Sequence, residues 1–412
     1  MKKRLLKRAL DKSDIPFSKR THRMYSTLLT KLGRRLRLGM VGGGFDSVIG
    51  ETHRIAYQTD GYYELVAGAF SIDQDVSRAT GAGLLVAPDR IYEDYRDMAK
   101  REAARSDGID VVVIATPPQI HKDVAMAFLE EGIDVICEKP LTKTVAQAQE
   151  LAACVAASGR LFVLTHCYSG FPMVRHARDL VRSGALGSLR MIEVEFAGGA
   201  PGVSVEPDDP AQRHWRFRAA SMGKEAVLGE VGSHAYHLMS YVTGKLPQRL
   251  SARLQTLAAR REVYDNAYLD FDYAEGVVGR LWASYVATGS QHGLSLRIYG
   301  DKAAIEWREE NAEYLHFRPL NSPEMILRSG QDGTSDFVAR SSRFRPGHPE
   351  GYPLAFANIY AEAALALVAA RTANSTSELM GNLPGIADGV AGMRMIAAAT
   401  ESNNNDGAWQ SL

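Results

Sequence analysis

The strongest constraint on the fold is an alternation of short apolar runs and amphipathic helices that begins at Leu36. The run from Leu36 to Val41 ends in Gly42, Gly43 and Gly44, a helical stretch follows from about Ile49 to Thr59, and a second apolar run covers Glu64 to Phe70. Helices near 75–81, 95–106, 122–131 and 144–158 then alternate with an apolar element around Ile91 and strands over 111–115, 134–137 and 161–165. Buried strands separated by helices imply a parallel sheet covered on both faces, an α/β architecture.

After about His166 the pattern changes. Strands with alternating polarity, over 191–196, 250–256, 266–273, 277–285 and 294–299, suit antiparallel pairing. Helices near 174–183 and 233–242 interrupt them, and helices over 354–370 and 385–402 are expected to pack back onto the first unit or the sheet. The polar, Pro/Gly-rich stretches 201–209 and 321–347 read as connections, the second long enough for a flap or a partner-facing loop. The chain of 412 residues divides accordingly: 1–35 a loosely ordered basic extension, 36–165 an alternating strand-helix unit, 166–412 a strand-rich unit.

Charge narrows the partners. The 48 basic and 48 acidic residues cancel, so the surface as a whole is not built for nucleic acid or an anionic membrane. The first 37 residues carry 13 Lys or Arg against Asp11 and Asp14, which reads as a solvated tail, or as a start before the true one at Met24. Leu5, Leu6, Ala9 and Leu10 are broken by Lys7 and Arg8, so no secretory signal is expected. No later segment reads as a membrane span. Cys137, Cys154 and Cys167 have no pairing or zinc spacing, which favours the cytoplasm.

Four groups of residues carry chemistry. Gly42, Gly43 and Gly44 follow a buried strand and precede a helix, where glycines let the backbone approach a diphosphate and the helix terminus offers unpaired N–H groups. The spacing departs from the usual one: Ser47 stands where a third glycine is expected, and the next is Gly50. At the end of the second strand Ser71 and Asp73 are the candidates for the ribose hydroxyls; Asp73 tilts the reading to NAD, nearby Arg78 keeps NADP open, and Asp73 serves equally as a helix cap.

The third group, Thr116, Pro117 and His121 after one buried strand, should share the ligand crevice with Glu138 and Lys139 after the next. A lysine set between a buried strand and Pro140 can hydrogen-bond a reacting hydroxyl beside a nicotinamide. In the fourth, Glu230 and His234 share a helix face at i, i+4 with His237 one turn on, which suits an acid/base pair and equally a polar helix start. No metal-ligand pattern is present.

Taken together these motifs resemble the Gfo/Idh/MocA family, the relatives of glucose-fructose oxidoreductase and inositol dehydrogenase, from about Leu36 to the end. The resemblance implies an N-terminal Rossmann, doubly wound parallel sheet and a C-terminal α/β domain whose open, mostly antiparallel sheet forms a homodimer or homotetramer interface. It makes Lys139 the catalytic lysine and His234 the proton acceptor. Glu230 stands where the family has aspartate, a change of one methylene that repositions the carboxylate. Residues 164–170 and 347–352 point to the levoglucosan dehydrogenase branch. The implied reaction moves a hydride between NAD, or NADP, and a secondary hydroxyl of a sugar, anhydrosugar or inositol, with His166, Tyr168, Trp215 and His237 as substrate contacts. The competing readings are a catalytically retired dinucleotide-binding sensor, and a lyase or epimerase that recycles its cofactor within each turnover.

Overall fold

A computed structural model describes residues 29, 30, 32–199, 206–209, 212–214, 217–372 and 381–412. Trp215, the basic extension before residue 29 and most of the 201–209 connection lie outside the described residues.

The first sheet has five parallel strands: β1 (Leu36–Gly42), β2 (Tyr63–Ala69), β3 (Val111–Ala115), β4 (Asp134–Cys137) and β5 (Phe162–Leu164), in the order β2-β1-β3-β4-β5. Ile91 adds one parallel bridge to Gly68 on the outer side of β2, a vestigial sixth strand. All five residues of β3 are buried, as a strand covered on both faces requires. Helices α1 (Val48–Thr59), α2 (Gln74–Gly83), α3 (Tyr95–Ala104), α4 (His121–Glu130) and α5 (Val145–Ser158) form the crossovers. From β1 the chain moves first to one side and then to the other, so the crevice for a ligand opens at the carboxyl ends of β1 and β3.

After helix α6 (Pro172–Arg182) the second sheet forms from nine strands. They are β6 (Leu189–Ala197), β7 (Arg249–Gln255), β8 (Asn266–Asp272), β9 (Val278–Ser284), β10 (Leu294–Gly300), β11 (Ala303–Arg308), β12 (Tyr314–Pro319), β13 (Met325–Arg328) and β14 (Gln410–Ser411). The order is β13-β12-β11-β10-β6-β9-β8-β7-β14, antiparallel throughout except for the parallel pair β6 and β9. Helix α7 (Ser233–Thr243), which follows the site turn, packs on the inner face of this sheet.

Two long helices close the structure, α8 (Gly351–Arg371) against α1 and α9 (Ile386–Asn404) against α5 and β7. By length and composition α8 could cross a membrane, yet it lies inside the protein. Its Glu362 accepts Arg175 Nη1 at 3.2 Å and Arg340 Nε at 2.8 Å.

The 321–347 stretch, read from the sequence as a connection long enough for a flap or a partner-facing loop, contains an edge strand and a helical turn. β13 pairs with β12, a helical turn covers Asp336–Ala339, and Arg343 Nε donates to Asp60 Oδ1 at 2.9 Å. Ser329, Ser341 and Ser342 are buried, while most of its other polar residues face solvent.

Candidate functional site

The glycine turn is shaped by contact as much as by conformation. Gly42 and Gly43 have φ of 74° and 70°, where a side chain is strained. A Cβ on Gly42 would stand 2.7 Å from Ala115 O at the end of β3. One on Gly50 would stand 2.5 Å from Gly43 O. Gly50 therefore does the close helix-to-turn packing expected of a glycine three residues earlier. Ser47 instead caps α1, accepting Gly50 N–H at 3.1 Å. Gly50→Ala should cost about 1–3 kcal/mol through overpacking against backbone and weaken dinucleotide affinity by displacing Gly43, read by thermal midpoint and by titration.

Gly44 N–H donates to Phe70 O, which brings the glycine turn to the end of β2. There Asp73 caps α2, its Oδ1 accepting Asp75 N–H at 2.9 Å and Val76 N–H at 3.2 Å, while Ser71 Oγ accepts Asp73 N–H. Arg78 is engaged by Asp75 and Glu93 at 2.9 and 3.4 Å, which weakens the case for a 2′-phosphate at this end.

On the other side of the crevice Thr116 Oγ1 is buried with no hydrogen-bond partner among the described residues. A buried hydroxyl without a partner is costly. Together with the bare glycine cradle and the terminus of α1, it suits a dinucleotide lying across β1 and β3. His121, expected to touch the cofactor, is fully buried instead. Its ring nitrogens face Thr116 O at 2.8 Å and Pro140 O at 2.9 Å, so it joins the loops after β3 and β4 from behind. Glu138 is turned inward as well, with Oε2 accepting Lys139 N–H at 3.1 Å and Oε1 accepting the Thr165 hydroxyl. Burial pushes its pKa up, but His53, Lys139 and Thr165 together hold it below the usual value.

Lys139, joined to Pro140 by a cis peptide, leaves the first unit and reaches the second. Its Nζ donates to Glu230 O at 3.1 Å and stands 3.9 Å from Glu230 Oε1. Glu230 is not on a regular α-helix as expected. It lies in a π-turn, Leu228–Gly232, that leads into α7, so the i, i+4 argument does not apply to it; wide turns of this kind recur at functional sites. His234, on the first turn of α7, is buried, and burial first, then the charges of Lys139, His237 and His292, hold its pKa well below the usual value. That direction favours the neutral form of the imidazole.

His166 Nδ1 lies 3.5 Å from His234 Nδ1, and the His166 ring stacks on His237 with centroids 4.2 Å apart. Tyr168 meets His234 edge-on at 4.8 Å. Three of the four expected substrate contacts thus surround His234. The residue missed from the sequence is His292, on the loop before β10. Its Nε2 pairs with Tyr168 Oη at 2.9 Å, and it joins Phe196, His214, Phe217, Glu230 and Tyr285 in lining a cavity of about 450 Å³ beside the lysine. The polar Gln291-His292 pair immediately before a strand was the available signal.

Burial lowers the pKa of His121, His166, His176 and His234, and brings His237 and His292 down to about 4. In the unfolded chain each takes a proton near pH 6.5. The folded state binds fewer protons below that pH, so stability present above about 6.5 is lost progressively as the pH falls toward 4. Urea midpoints should therefore decline steeply between pH 7 and 5; a flat profile would show these histidines to be solvated.

Residues 36–166 match the family model described as an oxidoreductase family with an NAD-binding Rossmann fold, and 174–306 match that of the GFO/IDH/MocA C-terminal domain. The uncharacterized oxidoreductase YfiI of Bacillus subtilis is 33% identical, covering 92% of this chain and 97% of its own. An inositol dehydrogenase homolog from Azotobacter vinelandii, solved with NAD+, is 36% identical with a TM-score of 0.86, over 92% of this chain and 97% of its own; a second structure of it holds NADH and myo-inositol. Levoglucosan dehydrogenase of Pseudarthrobacter phenanthrenivorans is more distant, 25% identical over 77% of this chain and 82% of its own. With two family models in tandem and a relative matched over nearly its full length, the chain belongs to the Gfo/Idh/MocA family of NAD-binding oxidoreductases.

Proposed function

We propose that the protein oxidises a secondary hydroxyl of a cyclic polyol, of the inositol or sugar class, to a ketone. The observation that carries this reading is the bond from Lys139 Nζ to the turn that leads into His234. It ties an ammonium group of the first unit to the turn that leads into His234, close enough for the lysine charge to lower the pKa of that imidazole, and so supports a shared site. NAD, when bound, would supply the acceptor for the hydride of the carbinol carbon. Gly42, Gly43 and Gly44 would hold its diphosphate, Ser71 and Asp73 would serve the adenine ribose, and Thr116 and Pro117 would serve the nicotinamide end. His234 takes the hydroxyl proton, Lys139 donates to the same oxygen and steadies its growing negative charge, and Glu230 orients the substrate or the imidazole. His166, Tyr168 and His292 shape the polar wall around the ring. The greater similarity to the inositol dehydrogenase homolog than to levoglucosan dehydrogenase supports a carbocyclic polyol over an anhydrosugar.

The test is a panel of inositols, pyranoses and anhydrosugars incubated with NAD+ or NADP+ while reduced cofactor is followed by absorbance. Reduction of NAD+ with an inositol or a pyranose supports the reading. Product without net reduced cofactor would favour the lyase or epimerase, and binding without turnover the sensor.

The outer face of the second sheet supports assembly into a homodimer or homotetramer: Met191, Tyr268 and Val278 are exposed there among the alternating charges of Glu193, Asp270 and Arg280. Tyr268→Glu should lower the mass measured by light scattering to that of a monomer or a smaller assembly, without loss of fold. The three cysteines, all free, support a reducing compartment such as the cytoplasm.

A further inference from the structure

Behind Lys139 runs a buried polar chain that the proposed reaction does not use. His53 on α1 is fully buried, Tyr360 on α8 is 1% exposed and Glu138 is 5% exposed. Tyr360 Oη lies 2.6 Å from His53 Nδ1, and His53 Nε2 lies 3.2 Å from Glu138 Oε1. The tyrosine hydroxyl can donate to Nδ1, which places the imidazole proton on Nε2, facing the carboxylate. Glu138 accepts hydrogen bonds from the Thr165 hydroxyl and the backbone N–H of Lys139, and the imidazole stands beside it at ion-pair distance, with Nε2 turned off the line of a full hydrogen bond. The ring is fixed from its edges as well, by Phe356 at 5.0 Å and by Tyr360, whose own backbone carbonyl accepts Tyr63 Oη at 2.8 Å.

A carboxylate inside a protein is costly unless its oxygens are occupied. Thr165 and the backbone of Lys139 lie within the Rossmann unit and would serve a purely local turn. The third neighbour, the imidazole, comes from the helix after the glycine turn, and it is oriented by a tyrosine 307 residues away, from a helix outside that unit. Because Oε2 holds the N–H of Lys139 itself, the direction of the carboxylate sets the direction in which the lysine leaves the strand. We propose that His53, oriented by Tyr360, is a positioning residue for Lys139, acting through Glu138. This rests on the role given to Lys139 above. It ties the placement of the ammonium group to the packing of α1, the helix at the dinucleotide cradle, against α8.

The experiment compares the full chain with His53→Leu, Tyr360→Phe and His53→Gln. Leucine removes both imidazole nitrogens, phenylalanine removes only the hydroxyl that orients them and keeps the ring packing, and glutamine returns an N–H near the position of Nε2. With an active polyol, His53→Leu should lower kcat by about 10- to 100-fold, the range set by small misplacements at a reacting centre. Tyr360→Phe should lower it in the same direction, His53→Gln should stay within about threefold of the parent, and NADH affinity should change little in all three. In parallel, acetylation of Lys139 by an amine reagent, followed by mass spectrometry, should be several-fold faster in His53→Leu and Tyr360→Phe than in the parent and His53→Gln. Unchanged kcat and labelling in Tyr360→Phe would overturn the proposal, as would a glutamine variant no better than the leucine one. Should the parent oxidise no polyol, the functional reading falls and the labelling rates alone decide this one: equal rates refute it, faster rates in the two disrupted variants uphold it. If His53→Leu does not fold, Tyr360→Phe and His53→Gln carry the same comparison.

Discussion

Lys139→Ala should lower kcat for polyol oxidation by about 10²- to 10⁴-fold, the range for loss of a positioned proton-transfer or electrostatic group. Affinity for NADH should change far less. Among the described residues, Lys139 Nζ engages Glu230 O and lies near its carboxylate, while the glycine cradle and Thr116 are formed by other residues. Lys139→Arg is not expected to restore turnover, because a planar guanidinium cannot stand as a compact charge where an ammonium group fits. Stopped-flow absorbance with an active polyol measures the first effect, and quenching of protein fluorescence by NADH the second. A Lys139→Ala enzyme with near-parent turnover would remove the lysine from the chemistry and leave His234 to act alone.

The second large effect is on stability. Glu362→Ala should cost about 3–5 kcal/mol, because it leaves a charge buried without its partner. Arg175 is 1% exposed, and among the described residues its partners beyond Glu362 are Ser169 O at 3.2 Å and the face of Phe337 at 4.5 Å. Arg340 loses both of its carboxylate bonds at the same time. At roughly 2–4 °C per kcal/mol for a protein of a few hundred residues, the thermal midpoint should fall by about 10 °C. Glu362→Gln keeps one acceptor and should lose less. A fall of under 2 °C in Glu362→Ala would mean that water reaches Arg175.

Much of the frame was readable because it depends on neighbours in sequence. The run 111–115 can only be a strand buried on both faces, and Gly42 and Gly43 announce a turn where a side chain would be strained. The 303–308 strand was equally local: Ala303, Ile305 and Trp307 alternate inward with a period of two, yet the run is short and follows the previous strand after two residues. β13 was lost in a polar stretch because Met325-Ile326-Leu327-Arg328 is only four residues long and shows no alternation of polarity. Of the candidate site, Lys139, His166, Tyr168 and His234 were found from their positions at strand ends and helix starts. His121 and Glu138 were found for the wrong contact, since a motif marks a residue near the crevice without saying which way its side chain turns.

Periodicity, turn chemistry and the glycines determined the alternating first unit, the strand-rich second one and the neighbourhood of the reacting groups, because each rests on interactions within a few residues. Only the tertiary structure decided that Gly50 replaces the missing third glycine, that Glu230 sits in a wide turn facing Lys139, and that His53 and Tyr360 stand behind Glu138. The first rests on a contact seven residues apart, Gly50 against Gly43 O; the other two depend on which side chains meet across tens to hundreds of residues. Such meetings are set by how the two sheets and the long helix α8 pack, a property of the whole core that no window of sequence contains.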